Sequence, residues 1–238
     1  QRHGVAQIRS THPRQPIMPL DASLESLQSA PVFPLQYGYC SVGRVETVGK
    51  GVHPGLVDKL VFAFQPHASH FLGTAQSVIA VPDNISPQTA VFLANMETAV
   101  NLVHDGNPLL GEKVVVLGQG IVGLLLSKVL GQFPLAGLYA IESIQARRAC
   151  ALQAGVHQVA DPQSGEELKA LQLAIASQGA GNGADLIYEV SGVPAALNTA
   201  IALSGYATRI VIGSWYGSKS AASNLGGLAH RNRLRITT

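Results

Sequence analysis

Cysteine is scarce in this sequence, and its scarcity excludes several kinds of site. Only two cysteines occur in 238 residues, Cys40 and Cys150, and they lie far apart along the chain. One pair cannot form a disulfide framework, and no CxxC motif is present for structural zinc or thiol redox chemistry. We therefore expect a reducing compartment, either the cytoplasm or the interior of an organelle.

Charged residues are also few, at 13% of the sequence, and the formal net charge is only +2. Because there is no basic block and no interleaving of aromatic with basic residues, nucleic acid is not an expected partner. No apolar run is long enough to span a membrane; the run at 121–130 is short and is interrupted by Gly123 and Ser127. We expect a small-molecule substrate. The low charge favours a homo-oligomer or a subunit of a larger complex, although an ordinary Ala-, Gly- and Leu-rich α/β protein has the same composition.

The pattern of residues changes along the chain and indicates two domains. Residues 1–36 contain many prolines without a sustained period, which predicts mostly loop with a short helix at 22–28. Three short apolar segments bounded by Gly, Pro and Asp follow, at 42–48, 60–64 and 77–81. Short strands at this close spacing predict a small barrel. We place the end of this partial barrel domain at residue 88.

Residues 89–238 have the alternating pattern of an α/β domain. Two buried helices are predicted first, because apolar residues recur at helical spacing after Gln88. The predicted strands that follow are 113–117, 138–141, 158–160, 185–189, 209–212 and 234–237, and the predicted helices are near 121–132, 144–154, 165–178 and 194–204. Six strands with intervening helices predict a doubly wound Rossmann parallel sheet.

The strongest functional signal is the turn Gly118-Gln119-Gly120-Ile121-Val122-Gly123, which lies between a predicted strand and an apolar helix. GxGxxG in this context is typical of a site that binds the pyrophosphate of a dinucleotide. We expect Gly118 to make the tight turn, Gly120 to let the pyrophosphate approach the backbone, and Gly123 to let the helix pack closely. Ile121 and Val122 would supply free N–H groups at the positive end of the helix dipole. The alternative is a glycine turn that serves packing alone.

Glu142 ends the second predicted strand of this domain, about 20 residues after the last glycine. An acidic residue at that position accepts hydrogen bonds from the adenosine ribose. Because a carboxylate there repels a 2′-phosphate, NAD is the expected cofactor and NADP is less favoured. Arg147 and Arg148 lie nearby and could weaken that preference, or they could form only the solvated face of a helix.

Segments of both predicted domains are similar to a known family. GRVETVGKGV at 43–52, DKLVF at 58–62, GEKVVVLG at 111–118 and GADLIYEVSG at 183–192 resemble the medium-chain dehydrogenase/reductase superfamily. The nearest branches are the sorbitol and threonine dehydrogenases and their bacteriochlorophyllide-dehydrogenase-like relatives. The resemblance implies a GroES-like β-barrel, here incomplete, joined to a Rossmann domain, and an enzyme that uses a nicotinamide cofactor. Because the family chain has further barrel strands on both sides of the matched region, we expect a fragment.

The resemblance also assigns individual residues, and it fails at the zinc ligands. It implies that Thr98, Ser191 and Gly213 belong to the cofactor site, although Thr98 could instead serve helix packing. Zinc members carry Gly-His-Glu where this chain has Gly38-Tyr39-Cys40, and a later ligand falls near Ala94-Asn95, where no donor stands. Since catalytic zinc needs three protein ligands, we expect no zinc and no other bound metal.

Two residues of the barrel domain are the expected catalytic groups. Tyr39 replaces the family's zinc ligand and is expected to hydrogen-bond the substrate oxygen, and His67 is expected to relay protons. The alternatives are that His67 and His70 join Cys40 as metal ligands, or that both are ordinary loop histidines.

These observations lead to one main functional hypothesis and two alternatives. The main hypothesis is a zinc-independent NAD-linked oxidoreductase that passes a hydride between the nicotinamide and a carbonyl, an alcohol or an activated double bond. A non-catalytic Rossmann-fold subunit of a larger assembly is the first alternative, because the metal ligands are missing and the charge is low. The second is a zinc-dependent alcohol dehydrogenase with rearranged ligands.

Overall fold

The structure is a computed structural model that describes residues 38–179, 181–220 and 222–238. The chain divides into two compact units between Ala80 and Val81. The helix expected at 22–28 lies outside the described residues, and the domain boundary at residue 88 stays a prediction.

The first unit contains a small antiparallel sheet. Its strands are β1 (Ser41–Arg44), β2 (Leu60–Ala63) and β3 (Val78–Ala80), in the order β1-β2-β3, and two single turns of 3-10 helix lie at Pro54–Leu56 and Ala75–Ser77. The central strand supplies the core, because Val61, Phe62 and Ala63 are all buried. This sheet agrees with the expected partial barrel.

The first strand is shorter than the segment 42–48 that the sequence predicted. Pairing ends at Val45, whose N–H donates to the carbonyl of Lys59 and whose carbonyl accepts from the N–H of Asp58. Asp58 has a left-handed backbone with φ of 62°, so the partner chain turns away from the strand at this point.

The second unit is built on six parallel strands in the order β6-β5-β4-β7-β8-β9. The strands are β4 (Lys113–Leu117), β5 (Gly137–Ile141), β6 (Gln158–Ala160), β7 (Ala184–Glu189), β8 (Ser204–Ile212) and β9 (Arg235–Thr237). The helices are α1 (Pro87–Ala90), α2 (Leu93–Gly106), α3 (Ile121–Leu130), α4 (Gln145–Gln153), α5 (Gly165–Ser177) and α6 (Ala196–Leu203), and a kinked segment at Leu225–Ala229 has a non-helical backbone at Gly227. The chain builds outward from β4 through β5 and β6, then crosses to β7 on the other side. The predicted doubly wound Rossmann sheet is confirmed.

The core lies on both faces of this sheet. Every residue of β4 is buried, as expected for a central parallel strand covered on two sides. Val114 and Val116 pack into one apolar cluster with α2 and α3, whereas Val115 and Leu117 pack into another with α5 and α6. The two-residue period of a strand thus divides one apolar run between two helical layers.

The helix pair predicted after Gln88 is unequal in the structure. The first helix, α1, is a single turn, and α2 is fourteen residues long. Ala94, Ala99 and Val103 of α2 are buried as expected, whereas Leu93 and Val100 are more than a third exposed. Within the described residues, no helix has both the length and the apolar character that a membrane crossing requires.

Candidate functional site

The glycine turn lies where β4 ends, at the carboxyl edge of the parallel sheet. Gly118 has a φ of +94°, and a Cβ built on it would lie 2.6 Å from the Cα of Ser191. A Cβ on Gly123 would lie 2.0 Å from the carbonyl oxygen of Gly118. Side chains are therefore excluded at both positions, because the turn packs against the loop after β7 and against its own helix.

Gly120 differs from its two neighbours in the motif. A Cβ built there would meet nothing within 4 Å, and φ of −68° is ordinary for any residue. The missing side chain therefore leaves open space in front of the backbone rather than relieving a clash. This is the arrangement that lets a pyrophosphate approach the chain.

The amino end of α3 lies next to that open space. Gly120 caps the helix without any side-chain hydrogen bond, and Ile121 is 48% exposed. Because the first N–H groups of a helix have no acceptor within the helix, those of Ile121 and Val122 are available to an anion. The turn and the helix end together fit the pyrophosphate of a dinucleotide.

Gln119 is fully buried inside the turn. Its Oε1 accepts a hydrogen bond of 3.1 Å from the Ser127 hydroxyl of α3, which ties the turn to its helix. Its Nε2 has no hydrogen-bond partner within the described ranges. A buried donor without an acceptor costs free energy, so a bound acceptor such as a phosphate oxygen or a water molecule would stabilise this turn.

Glu142 follows β5 and its carboxylate is 6% exposed. Its Oε2 accepts from the N–H of Gln119 at 2.7 Å, and its Oε1 accepts from the N–H of Ile144 at 2.9 Å and from the Ser143 hydroxyl at 3.3 Å. A carboxylate has about four acceptor positions, so one remains for a ribose hydroxyl. The carboxylate also holds the glycine turn in place through Gln119.

The two arginines after Glu142 have different surroundings. Arg148 Nη1 donates to the carbonyls of Glu142 and Ser143 and to Asp161 Oδ2, so it links the ends of β5 and β6. The side chain of Arg147 is 48% exposed, and its Nη1 lies 3.8 Å from Glu142 Oε2. Arg147 is therefore the arginine that remains available beside the ribose position.

The other expected cofactor residues lie on three elements of the same unit. Ser191 follows β7, and its N–H donates to Glu189 Oε1 at 2.8 Å. Gly213 follows β8, and a Cβ there would lie 2.7 Å from Leu102 Cδ2. Close packing against α2 is therefore sufficient to require a glycine at this position. The Thr98 hydroxyl donates to the carbonyl of Ala94 within α2 at 3.1 Å. The contacts of these residues with a cofactor stay predictions.

Sequence reasoning missed Glu189 and Tyr216 near this edge. Glu189 ends β7, is fully buried, and accepts hydrogen bonds from the Ser191 hydroxyl and the Tyr216 hydroxyl. Burial and the neighbouring Glu189 carboxylate raise the pKa of Tyr216, so its hydroxyl stays a donor. A glutamate inside a buried strand was the available signal, because such a charge needs hydrogen-bond donors.

The expected catalytic residues belong to the first unit. A Cβ built on Gly38 would lie 2.3 Å from His67 Nε2, so the imidazole covers the backbone immediately before Tyr39. Tyr39 is 59% exposed. His70 is also exposed, and its Nε2 lies 3.1 Å from Glu46 Oε1. Among the residues that the structure describes, no three His, Cys, Asp or Glu side chains are grouped so that they could hold a metal ion.

Comparison with known proteins agrees with the predicted fold. No family model matches the chain. It is 26% identical over 163 residues to D-xylulose reductase A of Aspergillus oryzae, covering 66% of this chain and 45% of the relative. It is 26% identical over 206 residues to (R,R)-butanediol dehydrogenase of Bacillus subtilis, covering 75% of this chain and 58% of the relative. The chain thus spans about half the length of the curated relatives it matches.

Solved structures show the same fold. A short chain alcohol dehydrogenase of Escherichia coli CFT073, complexed with NADH, aligns with a TM-score of 0.66 at 22% identity, covering 82% of this chain and 65% of that one. Galactitol-1-phosphate dehydrogenase of Escherichia coli aligns with a TM-score of 0.66 at 18% identity, covering 82% and 64%. The expected resemblance to medium-chain dehydrogenases is confirmed, and the relatives in both comparisons are named dehydrogenases and reductases.

Proposed function

We propose that this relative of the medium-chain dehydrogenases is an NAD-linked oxidoreductase that moves a hydride between the nicotinamide and a small alcohol or carbonyl compound, without catalytic zinc. The observation that carries the proposal is the open space at Gly120 beside the amino end of α3, which has no side-chain cap. That space lies at the carboxyl edge of a doubly wound sheet, where such folds bind dinucleotides.

The residues of the second unit would hold the cofactor in a defined direction. The N–H groups of Ile121 and Val122 would bind the pyrophosphate, and the remaining acceptor position of Glu142 would take a ribose hydroxyl. A buried carboxylate at that position disfavours the 2′-phosphate of NADP. The nicotinamide, once bound, supplies the hydride chemistry.

The first unit would supply the proton chemistry. The phenol of Tyr39 can donate a hydrogen bond to a substrate oxygen, and the imidazole of His67, which covers the adjacent Gly38, can carry a proton. Zinc independence is part of this proposal, because Tyr39 replaces a ligand and the described residues offer no group of three donors. The names of the relatives suggest a small polyhydroxy alcohol, such as a vicinal diol or a sugar alcohol, as substrate.

The test combines binding with turnover on the purified protein. Calorimetry with NADH and NADPH should give tighter binding of NADH. Oxidation of butane-2,3-diol, xylitol or sorbitol with NAD, followed by NADH absorbance, should proceed and should be unaffected by EDTA. Tyr39→Phe should lower kcat more than it weakens NADH binding, since it removes only the donor to the substrate. Binding of NADH without turnover of any alcohol would instead support the non-catalytic subunit.

A further inference from the structure

The carboxylate of Glu189 is fully buried at the carboxyl edge of the sheet, beside the proposed cofactor site. The residue is 0% exposed and ends β7, next to the glycine turn that ends β4. Burying a carboxylate is costly unless donors surround it. Its Oε1 accepts from the N–H of Ser191 at 2.8 Å and from the Ser191 hydroxyl, and its Oε2 accepts from the Tyr216 hydroxyl.

These donors come from two different loops. Ser191 lies in the loop after β7 and Tyr216 in the loop after β8, so the carboxylate joins loops that follow neighbouring parallel strands. A second hydrogen bond links the same loops, because the N–H of Gly192 donates to Ser214 Oγ at 2.8 Å. The two loops are therefore fixed to each other at two points.

The linked loops lie in the half of the sheet opposite to the adenosine-binding features. Glu142 and the glycine turn belong to β4, β5 and β6, whereas Glu189 and Tyr216 follow β7 and β8. A doubly wound sheet has two mononucleotide-binding halves. With adenosine on the first half, the second half receives the nicotinamide mononucleotide. Gly118 touches Ser191, so the linked loops also adjoin the pyrophosphate position.

We propose that Glu189 is a positioning residue, which joins the loops 190–193 and 213–216 into a preformed surface for the nicotinamide half of the cofactor. This inference rests on the proposed function. Trp215 lies between the two anchored residues Ser214 and Tyr216 and is 62% exposed, so the anchored loop presents an aromatic side chain at this edge. Loops fixed before binding lose less conformational freedom when the ligand arrives, and that difference appears as affinity.

Comparing NADH with ADP tests the proposal, because ADP carries the adenosine and the pyrophosphate but lacks the nicotinamide riboside. Tyr216→Phe removes one donor to a buried carboxylate and should weaken NADH about tenfold, the cost of a hydrogen bond to a charged group, with ADP changed less than about twofold. Ser214→Ala, which removes the second link, should act in the same direction. Tyr206→Phe is the matched control, because Tyr206 lies on β8 but is 67% exposed, and its hydroxyl accepts from Arg233 Nη1 at 3.4 Å.

Fluorescence gives an independent readout. Trp215 is the single tryptophan of the chain, so its emission reports on the linked loops. NADH should change that emission and ADP should leave it nearly unchanged. In Tyr216→Phe the emission of the unliganded protein should shift toward that of a more hydrated indole.

The outcomes separate this inference from the proposed function. Wild-type protein that binds neither NADH nor ADP overturns both. Wild-type protein that binds both, with the same ratio of NADH to ADP affinity in Tyr216→Phe and in Ser214→Ala, overturns the role of Glu189 alone. A loss confined to NADH in either variant, with Tyr206→Phe unchanged, supports it.

Discussion

Gly120 and Gly123 lie three residues apart in the phosphate turn, yet a side chain should impair cofactor binding at the first position and stability at the second. Gly120→Val should fold normally, because its Cβ would meet nothing within 4 Å, and it should abolish NADH binding by filling the pyrophosphate space. Thermal unfolding and calorimetry on the same sample check both parts of this prediction.

The matched variant at Gly123 should fail in the other way. A Cβ there would lie 2.0 Å from the carbonyl oxygen of Gly118, so Gly123→Ala should lower the melting temperature even before NADH is added. Undiminished NADH affinity in Gly120→Val would contradict the assignment of the turn.

Glu142 should decide which dinucleotide is preferred. Glu142→Ser removes the charge that repels a 2′-phosphate and leaves the half-exposed Arg147 beside it, so the ratio of NADPH to NADH affinity should rise at least about tenfold. Adding Arg147→Ala should reverse most of that gain. Measuring both cofactors on one variant cancels any loss of stability from the hydrogen bonds of Gln119 and Ile144. A wild-type protein that already prefers NADPH would refute this reading.

At the scale of elements, β4 could be located from the sequence because its apolar residues 114–117 come directly before Gly118, and β6 could be located because Asp161-Pro162 follows it directly. Beyond the predicted start of β8 at residue 209, the strand extends back to Ser204. A Cβ on Gly183 would lie 2.4 Å from the N of Gly205, so this extension depends on two glycine backbones meeting across the sheet. Local propensity contains no such information, since Gly205 is a poor strand former.

The residues of the candidate site also divide into those that could be predicted from the sequence and those that could not. The glycine turn and Glu142 were predictable because spacing along the chain fixes their places within one βαβ unit. Glu189 and Tyr216 meet only through the pairing of β7 with β8, so no local pattern connects them. Contacts between segments that are distant along the chain are therefore the part of this site that could not be predicted from the sequence.

Arg209 of β8 offers a test at the opposite edge of the sheet. Its Nη1 and Nη2 donate to both carboxylate oxygens of Glu112 at 2.9 and 2.7 Å, and its Nε donates to the carbonyl of Gly106 at 3.0 Å. The guanidinium therefore joins β8 to the end of α2 and to the residue before β4. Arg209→Met should lower the free energy of unfolding by about 2 kcal/mol, the loss of a bidentate charged pair.

The position of this pair predicts what should not change. Glu112 precedes β4, so the link lies at the amino edge of the sheet, away from the glycine turn. NADH affinity of folded Arg209→Met should match the wild type, and Arg235→Met, at an exposed position on β9, should alter neither quantity. Urea unfolding and calorimetry measure the two effects separately. A large loss of affinity would mean that the two edges are coupled.

For the molecule as a whole, the features of the two units support different parts of the proposal. The second unit contains a site whose backbone geometry fits a dinucleotide, and its topology is that of the dehydrogenases it matches. The first unit contains Tyr39 and His67, which lie outside the strands of its small antiparallel sheet. Cofactor binding can therefore be tested without a substrate. Whether the protein binds zinc depends instead on the metal-donor side chains of the whole chain.

The metal content of the purified protein follows from counting those donors. Catalytic zinc needs three protein ligands that converge at about 2.0–2.3 Å. In the described ranges, His70 pairs with Glu46, His67 lies against Gly38, and Tyr39 stands where the family has a ligand. We expect elemental analysis to find far less than one zinc per chain, and chelator to leave the melting temperature and NADH affinity unchanged. One zinc per chain that is lost in Cys40→Ser or His67→Ala would disprove this, and it would return the mechanism to polarisation of the substrate oxygen by the metal.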